Sequence, residues 1–198
     1  MLIPVSTRDE FRLLGDLPML AVDMGFSGKT ASSGYAYRAA GEQQTRSENK
    51  TFAACLQTVA EQIGRAGDVL LIIEAPLSAA FDRKGNPQPR GVFESSPKPR
   101  WWSLGPGAAM SLAAMHFLKR LASQIPANRK CFLVEGYVVG ANSGHDADVA
   151  EALIQSACSE RRCSWQEPKG QQLVSAIDWV QPDTSGAPSP IVLIPEFE

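Results

Sequence analysis

The sequence predicts an α/β fold: a mixed five-stranded sheet, three antiparallel strands followed by parallel ones, flanked by helices. Three observations predict it. Met19–Tyr37 reads as an apolar run, a glycine-bearing turn and an alternating run that folds back on the first. Val69–Ile73 and Cys131–Val134 are short continuous apolar runs, the pattern of strands buried on both faces. Segments of helical period separate these runs. Hairpins first and crossover units afterwards give a sheet that begins antiparallel and continues parallel.

The elements follow in chain order. Residues 1–18 are a polar and apolar lead-in with one helical turn around Asp9–Leu14. Strand one is Met19–Asp23 and strand two spans about Ser33–Arg38. Gly41 marks a turn, and Gln43–Thr51 reads as a polar edge strand. Phe52, Cys55, Leu56, Val59 and Ile63 recur at three and four, one apolar helix face that Gly64 and Gly67 end. Val69–Ile73 is the fourth strand. It runs into Glu74, and Pro76 stops it. Residues 77–107 read as an irregular loop rich in Pro and Gly, long enough to be functional or disordered. Met110, Ala114, Phe117, Leu118, Leu121 and Ile125 form the next helix face, closed by Pro126 and Asn128. Cys131–Val134 is the fifth strand and runs into Glu135. After a turn at Gly140 and 142–144, Asp146 can cap a helix with Val149, Ala150, Leu153, Ile154 and Ala157 on its apolar face. Gln171–Val180 reads as a helix, Pro182–Pro190 as a linker, and Ile191–Ile194 as a last strand pairing at a sheet edge.

Length and composition bound the function. The 198 residues suit a single domain over 1–198, with its core at about 19–158 and a C-terminal extension at 159–198. Hydrophobic content of 44% and charged content of 20% are ordinary for a soluble globular chain. A net charge of -2 means that any nucleic-acid contact comes from local patches, not from a global field. No apolar run approaches the roughly 20 residues of a membrane span, so no membrane partner is expected. The first 18 residues lack the basic-then-apolar order of a signal peptide. Cys55, Cys131, Cys158 and Cys163 lack zinc-ligand spacing and read as reduced thiols of a cytoplasmic protein.

The acids carry the chemistry. Three apolar strands end in Asp23, Glu74 and Glu135, and Asp146, Asp148 and Glu151 open the last core helix. If the first and fourth strands are neighbours, Asp23 and Glu74 lie side by side, and the helix can bring Asp148 or Glu151, three apart on one face, to the same spot. Clustered carboxylates repel, and a hard divalent cation such as Mg2+ or Mn2+ relieves the repulsion. Two such ions about 4 Å apart stabilise the attacking and leaving oxygens of a phosphodiester. Each acid also has a structural reading. Asp23 can cap hairpin amides, Glu74 can face solvent, and Glu135 reads as support rather than as a ligand. Asp146 suits an N-cap and Glu151 an exposed helix position. His145 is either a turn residue or a base near the attacking water.

The order of elements resembles the ribonuclease-H-like superfamily of nucleases and polynucleotidyl transferases. It is most similar to the Holliday-junction resolvase branch and to a related domain family of uncharacterised function. The hydrophobic-Asp-x-Gly setting of that branch is matched by Ala21-Val22-Asp23-Met24-Gly25, and its Glu at the end of the fourth strand by Ile72-Ile73-Glu74. Its Asp-x-x-Asp-Ala-Leu helix pattern is matched by Asp148-Val149-Ala150-Glu151-Ala152-Leu153, with Glu151 where Asp is usual. His145 and Glu74-Ala75-Pro76-Leu77 resemble the uncharacterised family. The resemblance covers about residues 19–158. It implies a metal-dependent nuclease with Asp23, Glu74, Asp148, Glu151 and His145 as catalytic candidates. Asp23, Glu74, Asp148 and Asp146 are the corresponding candidates to hold Mg2+ or Mn2+. It also implies nucleic acid as partner and a homodimer as a candidate state.

Arg83, Lys84, Arg90, Lys98 and Arg100, followed by Trp101 and Trp102, lie in the loop that leaves the Glu74 strand. Cations neutralise phosphates and aromatics stack on unpaired bases, so these are candidate substrate contacts, with Lys29 as a further phosphate contact. The competing readings are an ordinary surface loop anchored by its tryptophans, or a protein interface. Asp23–Thr30 also approaches a phosphate loop but has Asp23 in place of the first glycine, and the alternation after it favours a strand over the required helix. Three functions therefore stand beside one another: a metal-dependent nuclease, a non-catalytic binding module of the same fold, and nucleotide binding at Gly25–Thr30.

Overall fold

The computed structural model describes residues 1–25, 30–94, 106–138, 146–159, 163–181, 186 and 188–195. The N-terminal part forms β1 (Leu2–Pro4), α1 (Arg8–Leu13), β2 (Met19–Asp23), β3 (Ser33–Arg38) and β4 (Arg46–Lys50). Next come α2 (Phe52–Ala66), β5 (Val69–Glu74), β6 (Ser78–Phe81), β7 (Pro87–Gln88) and a 3-10 turn at Val92–Glu94. The remainder is α3 (Pro106–Ala122), β8 (Cys131–Gly136), α4 (Asp146–Ser159), β9 (Cys163–Gln166), β10 (Gln172–Ser175), α5 (Ala176–Val180) and β11 (Val192–Pro195).

Among the described residues the main sheet has eight strands, not five. Their order is β4-β3-β2-β5-β8-β11-β9, with β1 also beside β8. The five expected strands form one contiguous block of it. β4, β3 and β2 are antiparallel neighbours, and β2, β5 and β8 are parallel. The extra strands cover the far edge of β8, whose apolar run would otherwise present unpaired backbone groups. Leu2–Pro4 takes the first half of that edge and Val192–Leu193 the second. The Ile191 N–H donates to the Val5 carbonyl, joining the two end to end. Ile191–Ile194 was expected at an edge. Its strand lies inside the sheet instead, with β9 outside it.

The stretch expected to be irregular builds a second sheet, β10-β6-β7. Gln172–Ser175 pairs antiparallel with Ser78–Phe81, so the helix expected over Gln171–Val180 is confined to Ala176–Val180. Cross-strand pairing overrides helical propensity in its first half. The Ser175 side chain then caps the short helix by accepting from the Ile177 N–H at 3.3 Å.

Strand alternation sorts the core into two layers. Leu20, Val22, Leu71, Ile73 and Leu133 pack under α2 and α3. Met19, Ala21, Leu70, Ile72 and Val134 pack under α4 and Phe11 of α1. Helix ends follow their local signals. Thr7 and Glu10 form a capping box on α1, Thr51 caps α2, and Gly67 at φ +96 closes α2. No helix among the described residues is long and apolar enough to cross a membrane.

Candidate carboxylate site

Five residues line up across one face of the sheet. Asn49 opposes Gly34, Gly34 opposes Asp23, Asp23 opposes Glu74, and Glu74 opposes Gly136. Side chains alternate along a strand, so Asp23 shares the face of Met19 and Ala21, and Glu74 that of Leu70 and Ile72. That is the α4 face. The register sets the two carboxyl groups side by side, where a hydrogen bond between them needs a proton on one of the two.

The N-terminus of α4 comes down on this row. A Cβ at Gly34 would overlap the Asp146 carbonyl and lie 2.8 Å from the Ala147 nitrogen, so only glycine admits the helix there. The Asn49 Oδ1 accepts from the Ala147 N–H at 2.8 Å. Asp146 is the first helical residue and precedes Ala150, Leu153 and Ala157 on the stripe that meets the sheet. Burial, then the negative charge of Asp146, pushes the Asp23 carboxyl up to about 7, while the Glu74 hydrogen bond pulls it down.

The other expected acids stand elsewhere. Asp148 is exposed on α4, away from the stripe that faces the sheet. Asp146, not Asp148, is the helix acid whose charge reaches Asp23. Glu151 accepts from the Ser47 hydroxyl of β4 at 2.6 Å and from Gln155 at 2.9 Å, so it ties α4 to the sheet edge. Glu135 opposes Ile73 and therefore lies on the α2–α3 face, opposite to Glu74. It is fully buried, as support rather than as a ligand.

Arg90 requires a correction, because it is 2% exposed and cannot grip a substrate. All five guanidinium N–H groups are spent internally. Nη1 and Nη2 each donate to Glu135 at 2.6 Å, Nε and Nη2 to Glu94 at 2.9 and 2.7 Å, and Nη1 to the Ser78 hydroxyl at 2.9 Å. Burial alone would lower the guanidinium pKa, but Glu135 and then Glu94 raise it. Burial pushes Glu135 up while Arg90 pulls it down. With a permanently charged guanidinium on both its oxygens, the pair is ionised.

Arg83 and Lys84 are exposed at the tip of the β6–β7 hairpin, free to meet an anion. Asp82 orders that tip by accepting from the Lys84 and Asn86 N–H groups at 2.7 and 2.9 Å. Lys29, Lys98, Arg100, Trp101, Trp102 and His145 lie outside the described residues. The strand β3 that follows Thr30, where a phosphate loop would open a helix, argues against nucleotide binding at Gly25–Thr30. All four cysteines are free, and burial pushes the Cys55 and Cys131 thiols up to about 12.

The hard oxygen donors of Asp23, Glu74 and Asp146 suit Mg2+ or Mn2+ in kind. In arrangement the fit is partial, because no group of three or more His, Cys, Asp or Glu among the described residues stands ready to hold a metal ion. Comparison of the sequence with protein-family models gives no match, and comparison with curated proteins gives none.

Proposed function

We propose that the chain is a divalent-metal-dependent phosphodiesterase of ribonuclease-H-like architecture that acts on nucleic acid. The observation that carries this reading is the register pairing of Asp23 with Glu74 beneath Asp146. The block β4-β3-β2-β5-β8, antiparallel and then parallel, supports the architecture. Asp23 and Glu74 would hold the ion, with Asp146 completing the set, and an ion there would relieve the mutual repulsion of the three carboxylates. A bound Mg2+ or Mn2+ supplies charge stabilisation for the phosphodiester transition state. Arg83 and Lys84 would neutralise neighbouring phosphates.

One observation favours a second reading, a non-catalytic binding module of the same architecture: the described residues hold no ready three-ligand arrangement. Cleavage assays separate the two. Single-stranded, duplex and four-way DNA, and RNA, are incubated with Mg2+ or Mn2+ and wild type, Asp23→Asn, Asp146→Asn or Asp148→Asn. The nuclease reading expects cleavage that falls at least about 100-fold in the first two variants and persists in Asp148→Asn. Binding without cleavage, unchanged by Asp23→Asn, would establish the module instead.

A further inference from the structure

We propose that Glu135 and Arg90 are positioning residues that fix Glu74 and the basic β6–β7 hairpin relative to Asp23. The inference rests on the reading of Asp23 and Glu74 as the functional site. β5 delivers Glu74 to the end of the sheet and the chain turns at once, with the Ala75 N–H donating to the Ile73 carbonyl at 2.9 Å. Three residues after Glu74, the Leu77 N–H donates to the Glu135 carboxylate at 2.8 Å. Glu135 is the register partner of Ile73, so it grips this turn from the face opposite to Glu74. The other side of the turn is held by the Ala176 N–H, which donates to the Leu77 carbonyl at 2.8 Å.

Arg90 extends the grip to the hairpin. Its guanidinium spans Glu135 on β8, Ser78 at the start of β6, and Glu94 beyond β7. Both ends of the excursion that carries Arg83 and Lys84 are thereby tied to one carboxylate on the central sheet. The Arg90 carbonyl also accepts from the Lys169 N–H at 2.6 Å. Stability alone does not account for this cluster. Well-packed apolar residues in place of a buried ion pair are often as stable or more so. A bidentate ion pair adds directional geometry to packing, and here that geometry joins β8, the start of β6 and the segment beyond β7.

The test compares wild type with Glu135→Gln and with the apolar triple variant Arg90→Met/Glu94→Met/Glu135→Met, which leaves no buried charge unpaired. Mn2+ affinity is measured by calorimetry, and the position of Glu74 is followed through its side-chain carboxyl 13C signal at fixed pH without metal. Both variants are expected to keep the wild-type circular dichroism spectrum, to bind Mn2+ roughly 10- to 100-fold more weakly, and to shift the Glu74 signal. Folded variants with wild-type affinity and an unmoved signal would overturn the proposal. If the triple variant does not fold, Glu135→Gln carries the same comparison, because its NH2 group cannot accept from the guanidinium and so breaks the bidentate Arg90 pair that fixes residue 135. If wild type takes up no Mn2+, the metal reading fails separately, and the Glu74 signal alone supports or overturns the positioning role.

Discussion

Replacing Asp23 with Asn removes a carboxyl that the folded protein holds far from its ordinary state, and the effect should be read as a change in the pH dependence of stability. Burial and the charge of Asp146 raise Asp23 from 3.8 to about 7 on folding. Between those values the folded chain binds a proton that the unfolded chain has released. Stability therefore falls as pH rises. The contribution is complete below about pH 3.8, is lost progressively towards pH 7, and is absent above it. At about 1.36 kcal/mol for each tenfold change in proton affinity, the loss is about 4 kcal/mol, a large part of the stability of a typical domain. Urea unfolding of wild type and Asp23→Asn at pH 4, 6 and 8 measures it, because carboxylates remote from Asp23 cancel in the difference, which then reports Asp23 together with its coupled neighbours Glu74 and Asp146. Wild type should lose about 4 kcal/mol relative to the variant between pH 4 and pH 8. Adding Mn2+ at pH 8 should restore stability to wild type only, by about 2.7 kcal/mol at a hundred times its dissociation constant. Parallel curves for the two proteins would refute the reasoning, since they would mean that Asp23 is ionised in the folded state at no cost.

Two further outcomes test the geometry around the site. Gly34→Ala forces a Cβ into the Asp146 carbonyl, so α4 must lift away from β3, with a stability loss of about 1–3 kcal/mol in urea unfolding; an unchanged midpoint would contradict the close approach. A thiol reagent at pH 8 should label exposed Cys158 first and leave Cys55 and Cys131 intact until unfolding, because both are buried with thiols pushed up to about 12; early labelling of Cys55, read by mass spectrometry, would contradict that burial.

The block of five strands was legible because each of its elements carries a local signal. The period of two in Ser33–Tyr37, the apolar runs of β5 and β8 and the face of α2 are all written within a few residues. The added strands are not. Leu2–Pro4 and Cys163–Gln166 are three and four residues long, too short for any periodicity, and they become strands through the edges they find. β10 likewise depends on β6, itself within a stretch dense in Pro and Gly. Contacts of that range leave no trace in a local window.

The site was legible by residue type and less so by direction. That Asp23 and Glu74 meet follows from two parallel strands ending in acids at the same height, which the apolar runs already imply. Glu135 ends a strand in the same way but lies on the other face, since the register sets it beside Ile73 rather than Glu74. A one-residue difference in register reverses the face of a side chain, and run length alone does not determine register. The same geometry decides among the helix acids. Asp146 lies four residues before Ala150 and seven before Leu153, on the stripe that meets the sheet, whereas Asp148 falls outside it. Gly34 carried the signal that would have found this, because a glycine inside a strand marks a close backbone approach, and here the approaching backbone is that of Asp146. Asn49 carried none: it is one polar residue among several in an exposed edge strand, and only the arrival of α4 makes its amide oxygen the cap of Ala147. The partner of Arg90 was equally hidden. A basic residue in a polar loop reads as a phosphate contact until the acid at the end of β8 is found on the face that needs a cation.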